Sequence, residues 1–158
     1  PKFHFQLADI YNSTYNPKGK YKASEYHFPY SDEQFDFTFL TSIFTHLLPP
    51  DVENYLSEIS RTLKTGGRCL ITFCLLNAES LNLIDAKKST LNFKHDFNHY
   101  RVVDRTLPES AVADYESYVR TLYGKYGLEI VEPIHYGSWC GREQFLNYQD
   151  IVLAVKKP

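Results

Sequence analysis

A chain of 158 residues, 43% hydrophobic and 23% charged, can bury one sizeable core and is too apolar to stay disordered. Its net charge of -2 gives nucleic acid or an anionic lipid surface no electrostatic reason to bind. No apolar run approaches the ~18 residues of a membrane helix and no signal peptide opens the chain, so neither a membrane partner nor export is expected. Cys69, Cys74 and Cys140 are odd in number and lack metal-ligand spacing, which points to reduced thiols, a cytoplasmic protein and no metal. Aromatic residues reach 16%, a content that suits either an aromatic-lined pocket or a core built without methionine. The start at Pro1 and the lack of methionine lead to the expectation of a fragment or a processed form.

Phe3-His4-Phe5-Gln6-Leu7-Ala8-Asp9-Ile10 alternates apolar and polar residues and predicts a strand. Tyr11 to Tyr26 is rich in Asn, Ser, Lys and Tyr, and a polar loop of this length is expected to be functional or disordered. Phe35 to Ile43 predicts a buried strand. Pro49-Pro50-Asp51 opens a helix, since proline suits a first turn and an acid there complements the dipole. Val52, Tyr55, Leu56, Ile59 and Leu63 fall on one face of it. Gly66-Gly67 is expected to stop that helix, and Arg68 to Leu76 to form another buried strand.

Residues 77–107 lack a clear period and read as a lid-like, substrate-side insertion within one domain spanning 1–158, with a short extended piece at Tyr100–Val103. Pro108-Glu109 predicts a second helix, with Val112, Tyr115, Val119, Leu122 and Tyr126 as its stripe and Gly127 at its end. Leu128 to His135 and Tyr148 to Lys156 predict two strands, paired antiparallel across a long loop.

Asp9, Phe28-Pro29-Tyr30, Phe35-Asp36-Phe37-Thr38-Phe39, a turn containing His46, a helix and Leu63-Lys64-Thr65-Gly66-Gly67 follow one another in that order. The order resembles the late motifs of class I S-adenosylmethionine-dependent methyltransferases, where an "LPF…FD" strand precedes a helix and an "LKPGG" turn. The resemblance spans essentially the whole chain. It implies an α/β fold, a Rossmann-like three-layer sandwich whose mostly parallel sheet ends in an antiparallel C-terminal edge hairpin. It also implies S-adenosylmethionine as cofactor and methyl transfer to a small-molecule acceptor.

The family's acidic, glycine-rich loop and its ribose-binding acid find no counterpart, since none of the seven glycines forms a G-x-G-x-x-G pattern. N-terminal strands are therefore expected upstream, and this chain alone is expected to be inactive or nearly so. The strand Phe35–Ile43 is expected to show an open edge, a place for a second copy to pair as a homodimer. The alternatives are a non-catalytic interaction or scaffold module that keeps the fold, and a different nucleotide-binding enzyme such as a nicotinamide-dependent dehydrogenase, against which the antiparallel final hairpin argues.

The resemblance places Asp9 at the strand end that meets the adenine amino group, with Ile10 beside it as an apolar face. It places Leu40, Thr41 and Ser42 where backbone faces the methionine part of the cofactor. For Thr41 and Ser42 the structural alternative is local hydrogen bonding that ends the strand. His46 is the candidate general base for an acceptor hydroxyl or amine. His95, His99 and Arg101 in the lid-like segment, and Tyr136 and Trp139 in the loop before the last strand, are the substrate-side candidates. On a helix His95 and His99 would share a face, but no third metal ligand accompanies them. Trp139 serves equally as a cap on the core.

Overall fold

The computed structural model describes residues 2–158. Its central unit is β1 (Phe35–Leu40), α1 (Pro49–Thr62) and β2 (Leu63–Phe73), with β1 and β2 parallel and α1 as the crossover between them. The expected stripe of α1 is observed: Val52, Tyr55, Leu56 and Ile59 are buried against the sheet, with Leu63 directly after them. Asp51 accepts a hydrogen bond from the Leu48 N–H and so closes the first turn.

The Gly66-Gly67 pair does not stop α1. The helix ends at Thr62, and Leu63 is already extended. The glycines instead serve a bulge within β2. Phe35 pairs with Leu63 and Phe37 with Arg68, so Lys64 to Gly67 arch out opposite Asp36. Gly66 sits at φ +77°, and a Cβ on Gly67 would come within 2.7 Å of the Lys64 carbonyl oxygen.

The main sheet has the order β1-β2-β8-β7, where β7 is Leu128–Ile130 and β8 is Asp150–Lys156. β8 runs antiparallel to both neighbours, so the expected terminal hairpin is present. β1 is the open edge, as expected, but it is not a buried strand: Phe37 is 51% and Phe39 65% exposed. The alternation expected to make a strand of Phe3–Ile10 produces none. Only Ile10 makes an isolated bridge, to Tyr21, and Phe3, Phe5 and Leu7 are exposed. Alternation alone does not hold a strand that has no partner for its N–H and C=O groups.

Residues 77–107 are more ordered than the aperiodic sequence implied. They fold as α2 (Ala78–Asp85), β4 (His95–Phe97) and β5 (Tyr100–Val102). With β3 (Leu75–Leu76) and β6 (Val112–Tyr115), these strands make a second sheet in the order β3-β6-β5-β4. The helix expected from Pro108 splits accordingly. Pro108–Ser110 is a single 3-10 turn, Val112 and Tyr115 lie in β6, and α3 starts only at Glu116 and runs to Lys125. Val119 and Leu122 keep the apolar face predicted for them, and Gly127 follows at φ +66°.

The two sheets meet where the chain passes from β2 to β3 at Cys74. There the Leu75 N–H donates to Asp150 Oδ2 at 2.6 Å, which turns the strand out of the first sheet. Each sheet has its own core. Phe44, Leu56, Ile59, Ile71, Phe73, Tyr123 and Val152 fill one. Cys74, Leu76, Phe93, Ala113, Trp139 and Cys140 fill the other. All three cysteines are free and buried.

Candidate functional site

A cavity of about 440 Å³ opens beyond the carboxyl end of β1, the end at which open α/β sheets bind ligands. Two segments build it. The connection from β1 to α1 contributes Ser42, Ile43, His46 and Leu47, and the loop after Asp9 contributes Tyr11, Asn12, Tyr15 and Asn16. Ile10 and Tyr55 complete the wall. The lining contains no Asp, Glu, Lys or Arg side chain. Burial pushes the Tyr55 hydroxyl up to about 12, so it stays a neutral phenol.

Ser42 turns the chain at the end of β1. Its φ of 56° is left-handed for a residue with a side chain, a conformation that costs about 1 kcal/mol and needs support. The support is a short polar chain. The Ser42 N–H donates to Thr72 Oγ1 at 2.8 Å, and the hydroxyls of Thr72 and Ser42 both donate to Gln149 Oε1. Gln149, the residue before β8, thereby braces the carboxyl end of β1.

His46 ends the 3-10 turn Phe44–His46 that follows. Its Nδ1 lies 3.0 Å from the Glu109 carbonyl oxygen and its Nε2 3.2 Å from the Tyr15 hydroxyl. A carbonyl only accepts, so Nδ1 carries the proton and Nε2 offers its lone pair to the Tyr15 O–H. The two rings meet edge-on with centroids 4.8 Å apart.

The loop 11–26 is ordered by what it holds. Asn12 Nδ2 donates to the His46 carbonyl, and Asn12 Oδ1 accepts the N–H groups of Thr14 and Tyr15. The Ser13 N–H donates to the largely buried Glu109 carboxylate at 2.6 Å. Glu109 and Asp51 border a second cavity of about 480 Å³ beyond Tyr11. Burial, with Glu109 adding repulsion, pushes the Asp51 carboxyl above its usual range, although the Leu48 N–H pulls the other way.

The structure brings together Ile10, Ser42 and His46 of the predicted residues. Asp9 stands behind the wall: its carboxylate accepts from Asn16 Nδ2 at 3.1 Å and lies 4.0 Å from Lys20 Nζ. Leu40 packs against the first core, and Thr41 is exposed outside the cavity.

The substrate-side candidates lie elsewhere. His95 is in β4 and His99 in the turn after it, so they do not share a helix face. His99 stacks on Tyr118 at 4.4 Å, and Arg101 donates to Asp96 and to the Tyr115 hydroxyl. Tyr136 donates to Glu116 and lies beneath the Arg142 guanidinium. Trp139 is fully buried, edge-on to Phe93, with its Nε1–H donated to Asp150. It presents no face to a ligand, because the second core has claimed both sides of its ring. Sequence reasoning missed Tyr15, Asn12 and Glu109. The unusual length of the loop after Asp9 was the one available signal.

Residues 6–71 match a family described as "Methyltransferase domain". That stretch contains Ile10, Ser42 and His46. Solved structures extend the likeness across the chain at the level of fold. A S-adenosylmethionine-dependent methyltransferase from Methanosarcina mazei is 19% identical with a TM-score of 0.57, over 88% of this chain and 68% of its own. A possible histamine N-methyltransferase from Thermotoga maritima is 18% identical with a TM-score of 0.52, over 86% of this chain and 62% of its own. The 1,6-didemethyltoxoflavin-N1-methyltransferase of Burkholderia thailandensis, solved with S-adenosylhomocysteine, is 14% identical with a TM-score of 0.52. Coverage there is 87% of this chain and 49% of the other. What these structures share with the chain is the fold, that of class I methyltransferases. Among the described residues, no helix is long and apolar enough to cross a membrane.

Proposed function

We propose that this chain forms part of a S-adenosylmethionine-dependent methyltransferase that acts on a small neutral molecule. The carrying observation is the convergence of Ile10, Ser42 and His46 on one uncharged cavity at the carboxyl end of β1, inside the matched segment. Ile10 and the Ser42 turn, with Asp9 and Leu40–Thr41 behind them, form the cofactor side. The residues fit such a group in kind: an apolar face, a strand-end turn and neutral aromatic walls suit an adenosyl moiety. When bound, the cofactor supplies an electrophilic methyl group.

The chain's own work is to orient the acceptor, exclude water and take the acceptor's proton at His46 Nε2. The Nδ1–H bond to the Glu109 carbonyl keeps that lone pair available. Orientation and desolvation account for much of the rate of such a transfer. His95, His99 and Arg101 contribute to substrate only if the second sheet bends over the cavity mouth. This chain alone is close to inactive, since it has no glycine-rich nucleotide loop. The exposed edge of β1 takes a further strand, from a second copy or from other chain. The three unpaired cysteines suit a reducing cytoplasm.

Calorimetric titration of S-adenosylhomocysteine into this chain, and into any longer product of its gene, tests the reading. Binding by the longer form supports it. Binding by neither replaces it with a scaffold module of methyltransferase-like fold.

A further inference from the structure

Several polar groups of the cavity are engaged by the protein itself. Asn12 is spent on the His46 carbonyl and on its own turn, Ser42 on Gln149, and Nδ1 of His46 on Glu109. The one imidazole nitrogen of the lining that the backbone does not engage is Nε2 of His46, and the Tyr15 hydroxyl holds it at 3.2 Å. Tyr15 is 68% exposed, so the bond is made at the cavity mouth by a group that water can replace. The walls around this nitrogen are aromatic and apolar and suit the ring of an uncharged acceptor.

We propose that the Tyr15 phenol is a placeholder for the acceptor, and that the acceptor is a neutral aromatic molecule whose hydroxyl replaces that of Tyr15 on His46 Nε2. The exchange swaps one O–H···N bond for another and leaves the imidazole, pinned at Nδ1, where it is. A phenolic acceptor repeats the chemistry of the group it displaces and can meet His46 edge-on as Tyr15 does. That the displacing molecule is then methylated rests on the function proposed above. That it takes this place rests on the geometry alone.

The probe is phenol, titrated into the protein labelled with ¹⁵N-histidine and into Y15F. Phenylalanine keeps the ring against His46 and removes the hydroxyl. Wild-type His46 is expected to show an unprotonated Nε2 that accepts a hydrogen bond, and Y15F a bare lone pair. Phenol should restore the hydrogen-bonded signal in Y15F and bind the variant more tightly, by roughly two- to tenfold, the worth of one competing hydrogen bond. A protonated Nε2 in the wild type, an Nε2 signal blind to phenol, or equal phenol affinity in both proteins overturns the proposal. S-adenosylhomocysteine calorimetry on the same samples separates the two readings. Cofactor binding with His46 blind to phenol removes the placeholder alone, whereas the phenol response without cofactor binding by any form removes the methyltransferase reading alone.

Discussion

Two buried carboxylates flank Cys74, and burial pushes both upward, but only one is met by donors. Asp150, fully buried at the start of β8, accepts from the N–H groups of Leu75 and Gly137, from the Trp139 indole and from Arg142. Asp114, 1% exposed in β6, has an Oδ1 with no hydrogen-bond partner at all. The first carboxylate knots together the β2–β3 crossing, the 136–142 loop and β8. The second only costs, and the chain meets that cost by keeping its proton: burial pushes the Asp114 carboxyl from 3.8 up to about 8. Burial alone therefore says little about what an acid does. The donors aimed at it decide between a structural knot and a neutral acid.

The largest loss of stability should come from cutting the knot. Asp150→Ala strands the Arg142 guanidinium, the Trp139 Nε1–H and two backbone N–H groups, and should destabilise by about 3–5 kcal/mol in urea unfolding. A loss below 1 kcal/mol would erase the contrast with Asp114. Trp139→Ala empties the middle of the second core and should cost a similar ~3–5 kcal/mol, while leaving any affinity for S-adenosylhomocysteine unchanged in the folded fraction.

Asp114 sharpens the comparison through pH. Its folded pKa of about 8 stands above the unfolded 3.8, so between those values the folded state holds a proton that the unfolded state lacks. This contribution is fully present below pH ~4 and falls by about 1.4 kcal/mol per unit as pH rises toward 8. Asp114→Asn, a neutral isostere, should remove that slope and be the more stable protein at pH 8. Parallel stability curves for wild type and variant would show that Asp114 is ionised in the fold. The smallest effect is expected at the open edge. Phe37→Lys should change stability by no more than ~0.5 kcal/mol and reduce any self-association seen by sedimentation.

What was legible in the sequence follows the range of the forces involved. The α1 stripe, its proline start and the C-terminal hairpin were readable because periodicity and turn chemistry act over a few residues. The open edge of β1 was legible too, although its exposure was not, since the phenylalanines at 37 and 39 look the same in a buried strand. Residues 77–107 and the split at Pro108 were illegible because the second sheet pairs segments far apart: Tyr100 lies opposite Asp114, and Leu75 beside it. In the site, His46 stood out through its titratable chemistry. Tyr15 did not, because its role depends on a loop folding back 31 residues.

By itself the sequence determined the β1–α1–β2 unit, the antiparallel ending, the small net charge of -2 and the order of motifs that resembles the methyltransferase fold. Local preference and apolar spacing suffice for these. Only the tertiary structure decided which way Trp139 faces, which acid is knotted and which is neutral, and that the polar loop 11–26 lines the cavity and covers His46. Those outcomes depend on partners brought together from distant parts of the chain, and hydrogen-bond geometry at 3 Å leaves no periodic trace in the sequence.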